Sequence, residues 1–222
     1  MIGVLTGLED EAKIIGPTSG GVVSLCGARA RDNLQTLLPP DTTGIVSFGV
    51  CGGLSPKVQV GDLVFGTFVT DGKNVYQADQ EWFYQMAGRL TFPHHGARVY
   101  SGGEIAGDTP AERHHLHSAM RAWTVDDESV AVAQFAASRG IPFAVVRSVS
   151  DDYLETVPPA SKNATNPDGT SNVDAVLKAL KQHPEQIFDL IKIGFNFERA
   201  LGTLRGAVRI FGPSFLKETP VA

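Results

Sequence analysis

Cysteine, long apolar runs and surplus positive charge are all scarce in this chain, and each shortage removes a class of answers. Only Cys26 and Cys51 among 222 residues carry thiols, too few for a disulfide framework, which suits a reducing cytoplasm. No apolar run is long enough to span a bilayer. The opening residues show no basic stretch followed by an apolar one, so no secretory signal is expected. Lysine and arginine number 19 against 24 acidic residues, a net charge of −5. A nucleic-acid partner needs a basic face and is not expected. Internal repeats and low-complexity segments are missing too. What remains, 42% hydrophobic and 19% charged, has the balance of a soluble globular protein, long enough for one compact α/β domain over residues 1–222.

The most informative stretch is Thr124 to Asp152, TVDDESVAVAQFAASRGIPFAVVRSVSDD. Val130, Ala133 and Ala137 recur at helical spacing, with Val132 and Ala136 beside them. Gly140 stops that helix and Pro142 enters the next strand, where its missing N–H costs least. Phe143-Ala144-Val145-Val146 is too short for a helix and suits the middle of a covered sheet. Polar and charged residues mark the ends of these apolar elements: Glu128 in the first helical turn, and Arg147, Ser150 and Asp151 just past the strand. Ligands of open α/β sheets bind at the carboxyl ends of strands.

Elsewhere, Ile2-Gly3-Val4-Leu5-Thr6 reads as a strand leading into Gly7-Leu8-Glu9-Asp10-Glu11-Ala12. Three acids at a helix start favour the macrodipole, and Glu11 is also placed to face the strand end. Val22 to Leu25 reads as a strand and Arg29 to Leu38 as one short helix. A further strand runs into Gly49-Val50-Cys51-Gly52-Gly53, with Gly61-Asp62 and another strand beyond. This glycine run lets backbone approach a ligand, but it has neither the G-K-[ST] of a Walker loop nor the order of a dinucleotide loop. Cys51 reads as a small buried residue rather than a reactive thiol. Gln80 to Leu90 reads as a helix. The His114-His115-x-His117 cluster has no acidic or Cys partner at metal spacing, so it reads as a solvated helix face and no metal is expected. Pro158 to Thr170 is a loop by its turn residues. Two helices follow from Asn172, split near Pro184.

Taken together, D-x-E-S-x-A-x-A, G-I-P-F and V-V-R-x-x-S-D, with the upstream G-x-x-G-G-L and G-D, resemble the purine nucleoside phosphorylase and nucleosidase superfamily. The later P-P-A…P-D-G loop and helix pair resemble its hopanoid-associated branch, the adenosylhopane nucleosidases. The resemblance implies a three-layer αβα fold with a mixed central sheet, no cofactor, and a small-molecule purine nucleoside as ligand, lipid-linked in that branch. It also implies a homo-oligomer, since members are commonly dimers or larger. It casts Asp151 as general acid to the purine, Glu128 as acceptor of ribose hydroxyls, and Glu11 as handler of the attacking water. Substrate contacts carried over in the same way are Val50, Cys51, Gly52, Glu104, Ile105, Ala106, Asp126, Asp127, Arg147 and Ser150, with Arg147 and Ser150 setting the geometry of Asp151. Asp127 stands where the family usually has Met.

Two departures bear on the reaction. The phosphorylases of the family bind phosphate through an Arg before the glycines and a Ser within them, and Ser47 and Val50 occupy those positions here. Neither can neutralise a dianion as a guanidinium fork does, so water is the expected nucleophile. The expected activity is cleavage of adenosylhopane to adenine and ribosylhopane. A phosphate-dependent phosphorylase is the alternative enzyme, and a non-catalytic nucleoside-binding module the alternative of another class. The last stretch, 206–222, is basic and apolar and is expected to touch a membrane interface peripherally.

Overall fold

Alternating apolar patterns at the chain's centre translate into strands with two buried faces. The computed structural model describes residues 1–102, 106–161 and 164–217. Its elements are β1 (Ile2–Thr6), α1 (Glu9–Ile15), β2 (Val22–Cys26), α2 (Gly27–Arg31), α3 (Leu34–Leu37), β3 (Gly44–Gly53), β4 (Leu63–Thr70), β5 (Val75–Gln77), α4 (Gln80–Ala87), β6 (His94–Ser101), α5 (Pro110–Met120), β7 (Thr124–Asp126), α6 (Ser129–Arg139), β8 (Phe143–Asp151), α7 (Val173–Gln182) and α8 (Ile187–Phe211). β1 lies between β2 and β3, parallel to both. β8 is parallel to β3 and antiparallel to β4. β6 joins β4 and β7 in parallel, and the tip of β3 pairs antiparallel with β7. The mixed sheet of the expected α/β fold is present.

Period-2 side chains sort the core onto the two faces of this sheet. Val4, Val46, Phe48, Ala144 and Val146 pack with Trp82 and Met86 of α4 and Leu201, Leu204 and Ala207 of α8. Their neighbours Leu5, Ile45, Phe143 and Val145 face the other way, onto Ala30, Leu34 and the Val132–Ala136 stripe of α6. Gly140 closes α6 in the left-handed region, φ 65°, as its position in the sequence suggests. The helix expected over Arg29 to Leu38 is instead two pieces. Asn33 sits between them and donates its side-chain amide to the Arg29 carbonyl at 2.8 Å, a local bond that competes with helix propagation.

The C-terminal stretch differs from its expected role at a membrane interface. Ala207, Phe211 and Phe215 are buried in the core, and the Trp82 indole donates to the Phe215 carbonyl at 2.7 Å. Lys217 lies over the Trp82 ring. Ala207, Phe211 and Phe215 are spent on packing because Trp82 of α4 and Phe48 of β3 offer them an apolar face; residues 218–222 lie outside the described range. Exposed apolar surface occurs earlier. α7 has no buried residue, and Val173, Leu177, Ile187, Phe188, Ile191 and Phe195 project from α7 and the first half of α8. Phe188 and Phe195 are 78% and 74% exposed. Lys192 and Asn196 tether this half of α8 to Glu155. Among the described residues no helix is long and apolar enough to cross a membrane.

Candidate active site

The carboxyl ends of β1, β3 and β7 open onto one cleft of about 460 Å³, closed on its outer side by Thr165, Asn166 and Pro167. Its walls carry Glu11, Asp126, Asp127 and Glu128, with Arg31 at α2. Each acid is placed by a local device. Glu11 is one turn into α1, so its carboxylate folds back on the start of the helix. One oxygen accepts the N–H groups of Gly7 and Leu8 at 2.9 and 3.0 Å, and the other accepts Val50 N–H at 2.7 Å. The side chain is 1% exposed. Burial raises its pKa above the ordinary carboxylate value, against the pull of Arg147 and the three N–H donors. Such close approach needs a glycine opposite: a Cβ on Gly49 would lie 2.5 Å from the Glu11 carboxylate.

Glu128 sits at the head of α6 with its carboxylate in the cleft. Burial pushes its pKa up to about 7, partly offset by Arg147 and reinforced by Asp126 and Glu11. Asp127 also faces the cleft, and desolvation beside Asp126 raises its pKa. Arg31 reaches across from α2 to the Asp127 carbonyl. Asp126 behaves differently from its neighbours. Ser101, across from it on β6, donates to one oxygen at 2.6 Å, and the Ser129 N–H donates to the same oxygen at 3.0 Å. The other oxygen takes the Ser129 hydroxyl and lies 2.8 Å from Arg147 Nε. These contacts tie Asp126 to the start of α6 and pair it with Arg147.

Arg147 was expected to set the geometry of Asp151, and it does not touch it. The strand-pairing register puts it opposite Gly49, and its guanidinium, fully buried, reaches Asp126, Glu128, Ser47 and the Val50 carbonyl. A side chain in the middle of β8 points to the cleft floor, whereas Asp151 stands at the strand's end. Ser150 does hold Asp151. The β3–β8 pairing shifts at Cys51/Gly52, so that Val149 faces Cys51 and Asp151 faces Gly52. Ser150 is the extra residue of this bulge, a device that re-aims side chains beside sites. Its hydroxyl lies 2.7 Å from Asp151 Oδ2 and 3.2 Å from the Cys51 carbonyl.

The remaining expected contacts divide. Val50 lines the cleft. Gly52 lies under the Asp151 carboxylate, where a Cβ would come within 3.1 Å of Oδ1. The Cys51 side chain departs from a substrate contact: it packs among Val58, Val64, Ala97 and Val149, and burial pushes its thiol far up, because alternation along β3 turns it away from the cleft. Ala106 is exposed and is not part of the cleft wall. Glu104 and Ile105 lie outside the described residues. Asp151 is not in the wall either, though its side chain is 23% exposed. Sequence reasoning did not single out Arg31, the Thr165–Pro167 strap or Arg113. The strap's turn residues read as a loop, with Pro167 taken as part of the branch resemblance but not of the cleft wall, and the two arginines carried no signal.

The fold is thus an α/β protein whose mixed sheet carries an acid-rich cleft at its strand ends. The chain belongs to the phosphorylase superfamily, whose profile matches residues 4–187. It is 28% identical to the 5'-methylthioadenosine/S-adenosylhomocysteine nucleosidases of Mycobacterium bovis and Mycobacterium tuberculosis, over 48% of this chain and 58% of theirs. It therefore spans little more than half the length of these curated relatives. Its fold is similar to futalosine hydrolase of Helicobacter pylori, with a TM-score of 0.68, 14% identity and 97% and 96% of the two chains covered. It is also similar to the 5'-methylthioadenosine/S-adenosyl homocysteine nucleosidase of the same organism, with a TM-score of 0.66, 15% identity and 94% and 95% covered.

Proposed function

We propose that this protein is a purine nucleosidase that cleaves the N-glycosidic bond of an adenine nucleoside with water. The observation that carries this reading is the placement of Glu11. Its carboxylate occupies the backbone N–H of Val50, on the glycine-rich end of β3 where an anion would otherwise dock, and it faces Glu128 in the same cleft. Arg147 is already paired with Asp126 and Glu128, so its fork is not offered to a phosphate dianion. Ionised acids in the cleft favour the cation-like sugar formed as the C–N bond breaks. Glu128 would accept the ribose hydroxyls, Glu11 would take a proton from the attacking water, and Asp151 would give a proton to N7 of the leaving purine. Adenine release measured with and without phosphate tests the reading. Equal rates and free ribose support it; acceleration by phosphate with a ribose 1-phosphate product would replace it with a phosphorylase. Binding of adenosine without turnover would leave a nucleoside-binding module.

The finer reading is that the nucleoside is adenosylhopane, yielding ribosylhopane. Support comes from the exposed apolar face of α7 and α8, which follows directly in the chain from the strap that lines the cleft. A lipid surface against Phe188 and Phe195 would hold the apolar arm while the adenosine end enters the cleft. The double variant Phe188→Ser, Phe195→Ser should keep cleavage of adenosine and lose co-sedimentation with vesicles. If light scattering finds a dimer that the same variant disperses, with no change in vesicle binding, the face joins two copies instead.

A further inference from the structure

Among the described residues, the mechanism above leaves one buried cation unused. Arg113, near the start of α5, is 1% exposed and pairs with Asp151. Its Nε donates to the Gly107 carbonyl at 2.7 Å, and Nη1 donates to the carbonyls of Gly53 at 3.2 Å and Asp152 at 2.6 Å. Nη2 donates to Oδ1 of Asp151. Of these acceptors only Asp151 carries charge. The carbonyls clamp the guanidinium plane, so the arginine is rigid before any ligand arrives. α5 itself is locked by Thr109 and Glu112, which exchange side-chain and backbone bonds at its head.

We propose that Arg113 is the positioning residue for Asp151 in proton transfer to the leaving base. This rests on the nucleosidase reading. With Oδ1 held by Arg113, the oxygen free to carry the proton is Oδ2, and Ser150 orients that oxygen from the opposite side. As the C–N bond breaks, its electron pair passes to the purine and the Oδ2 proton moves to N7. Water oxygen bonds to the sugar carbon and gives its proton to Glu11, and solvent returns a proton to Asp151. A fixed guanidinium on Oδ1 holds the plane of the Asp151 carboxyl group, so Oδ2 needs no reorganisation as the proton moves, and the effect falls on the transition state more than on binding.

The experiment compares adenosine with its N7-methylated form, a cationic purine that departs without a proton. For Arg113→Ala, kcat on adenosine should fall by about 10²-fold, within the range of one general acid, with KM moved by less than about threefold. On the N7-methylated substrate the loss should be under about threefold. Arg113→Lys keeps a buried cation but not the fork; it keeps the test open if the alanine variant fails to fold, and should show the same selective loss at roughly a tenth of the size. Equal losses on both substrates, in whichever variant folds, would make Arg113 a purely structural clamp and overturn the proposal, as would no loss on either. Asp151→Asn run in parallel separates the layers. If it spares the N7-methylated substrate while Arg113→Ala does not, Arg113 alone is misassigned. If Asp151→Asn shows no such selectivity, Asp151 is not the acid and both assignments fall.

Discussion

Glu128 and Glu11 share one buried guanidinium neighbourhood, and the acid balance there is the residue-scale feature with a measurable consequence. Burial raises the Glu128 pKa from 4.5 to about 7. A carboxyl whose folded pKa is raised binds its proton more tightly in the native state than in the unfolded one. Its stabilising contribution is whole below about 4.5 and is lost as pH rises through about 7. The ligand-free protein should therefore melt at a lower temperature at pH 8 than at about pH 5, by roughly 2–4 °C for each kcal/mol lost. Glu128→Gln should flatten this slope in calorimetry; an unchanged slope would assign the titration to other groups. Activity should run the opposite way. Accepting ribose hydroxyls beside a cation needs the ionised form, so kcat/KM should fall as pH drops below about 7. Asp151→Asn, for its part, should fold normally and lose about 10²- to 10⁴-fold in kcat.

At the scale of elements, the cleft depends on how the strap at 164–172 docks. Pro167 accepts the Arg29 N–H and Gly169 accepts the Glu9 N–H, both at 2.9 Å, so the strap bridges the starts of α1 and α2. Gly27 allows this. Its φ is 84°, and a Cβ there would lie 2.5 Å from the Asp168 backbone. Gly140 has a comparable φ of 65° with nothing near its absent Cβ. Gly27→Ala should therefore lift the strap, raising KM by about tenfold, or roughly 1.4 kcal/mol of binding, and exposing 164–172 to proteolysis. Gly140→Ala should cost only backbone strain of about 1 kcal/mol and leave KM alone. Equal KM values for the two variants would remove the strap from substrate binding. The bulge at Ser150 is a second element-scale device, and it explains why Asp151 sits apart from Arg147 despite lying four residues beyond it.

At the scale of the molecule, the C-terminal segment completes the core rather than hanging from it. Phe215 touches Phe48 edge-on, with centroids 5.5 Å apart, and its carbonyl satisfies the one polar atom of the Trp82 ring. Phe215→Ala should cost about 3–5 kcal/mol, the usual range for a buried phenylalanine, read as a lower urea midpoint with unchanged slope. Ending the chain before Gly206 should do more, because Ala207 and Phe211 are lost as well. A truncated protein of native stability would contradict this packing. The exposed face of α7 and α8 has no such role in the core, so substitutions there should leave the urea midpoint within about 0.5 kcal/mol of the parent.

Local pattern determined a good deal of this protein. The strand–helix–strand run from Thr124 to Asp151 and the glycine end of β3 follow from period, caps and turn residues, because a strand's end and a helix's start are set by the residues beside them; the roles given to Glu11, Glu128 and Asp151 came from the family resemblance instead. Other features had to wait for the tertiary structure. Arg147 lies 21 residues from Asp126 along the chain and only four from Asp151, yet it pairs with the first, since strand direction and register set where a side chain points. Arg113 reaches Asp151 across 38 residues and Trp82 reaches Phe215 across 133. Whether a basic, apolar segment packs or stays exposed depends on what surface another element presents to it, and no period in the segment's own sequence carries that information.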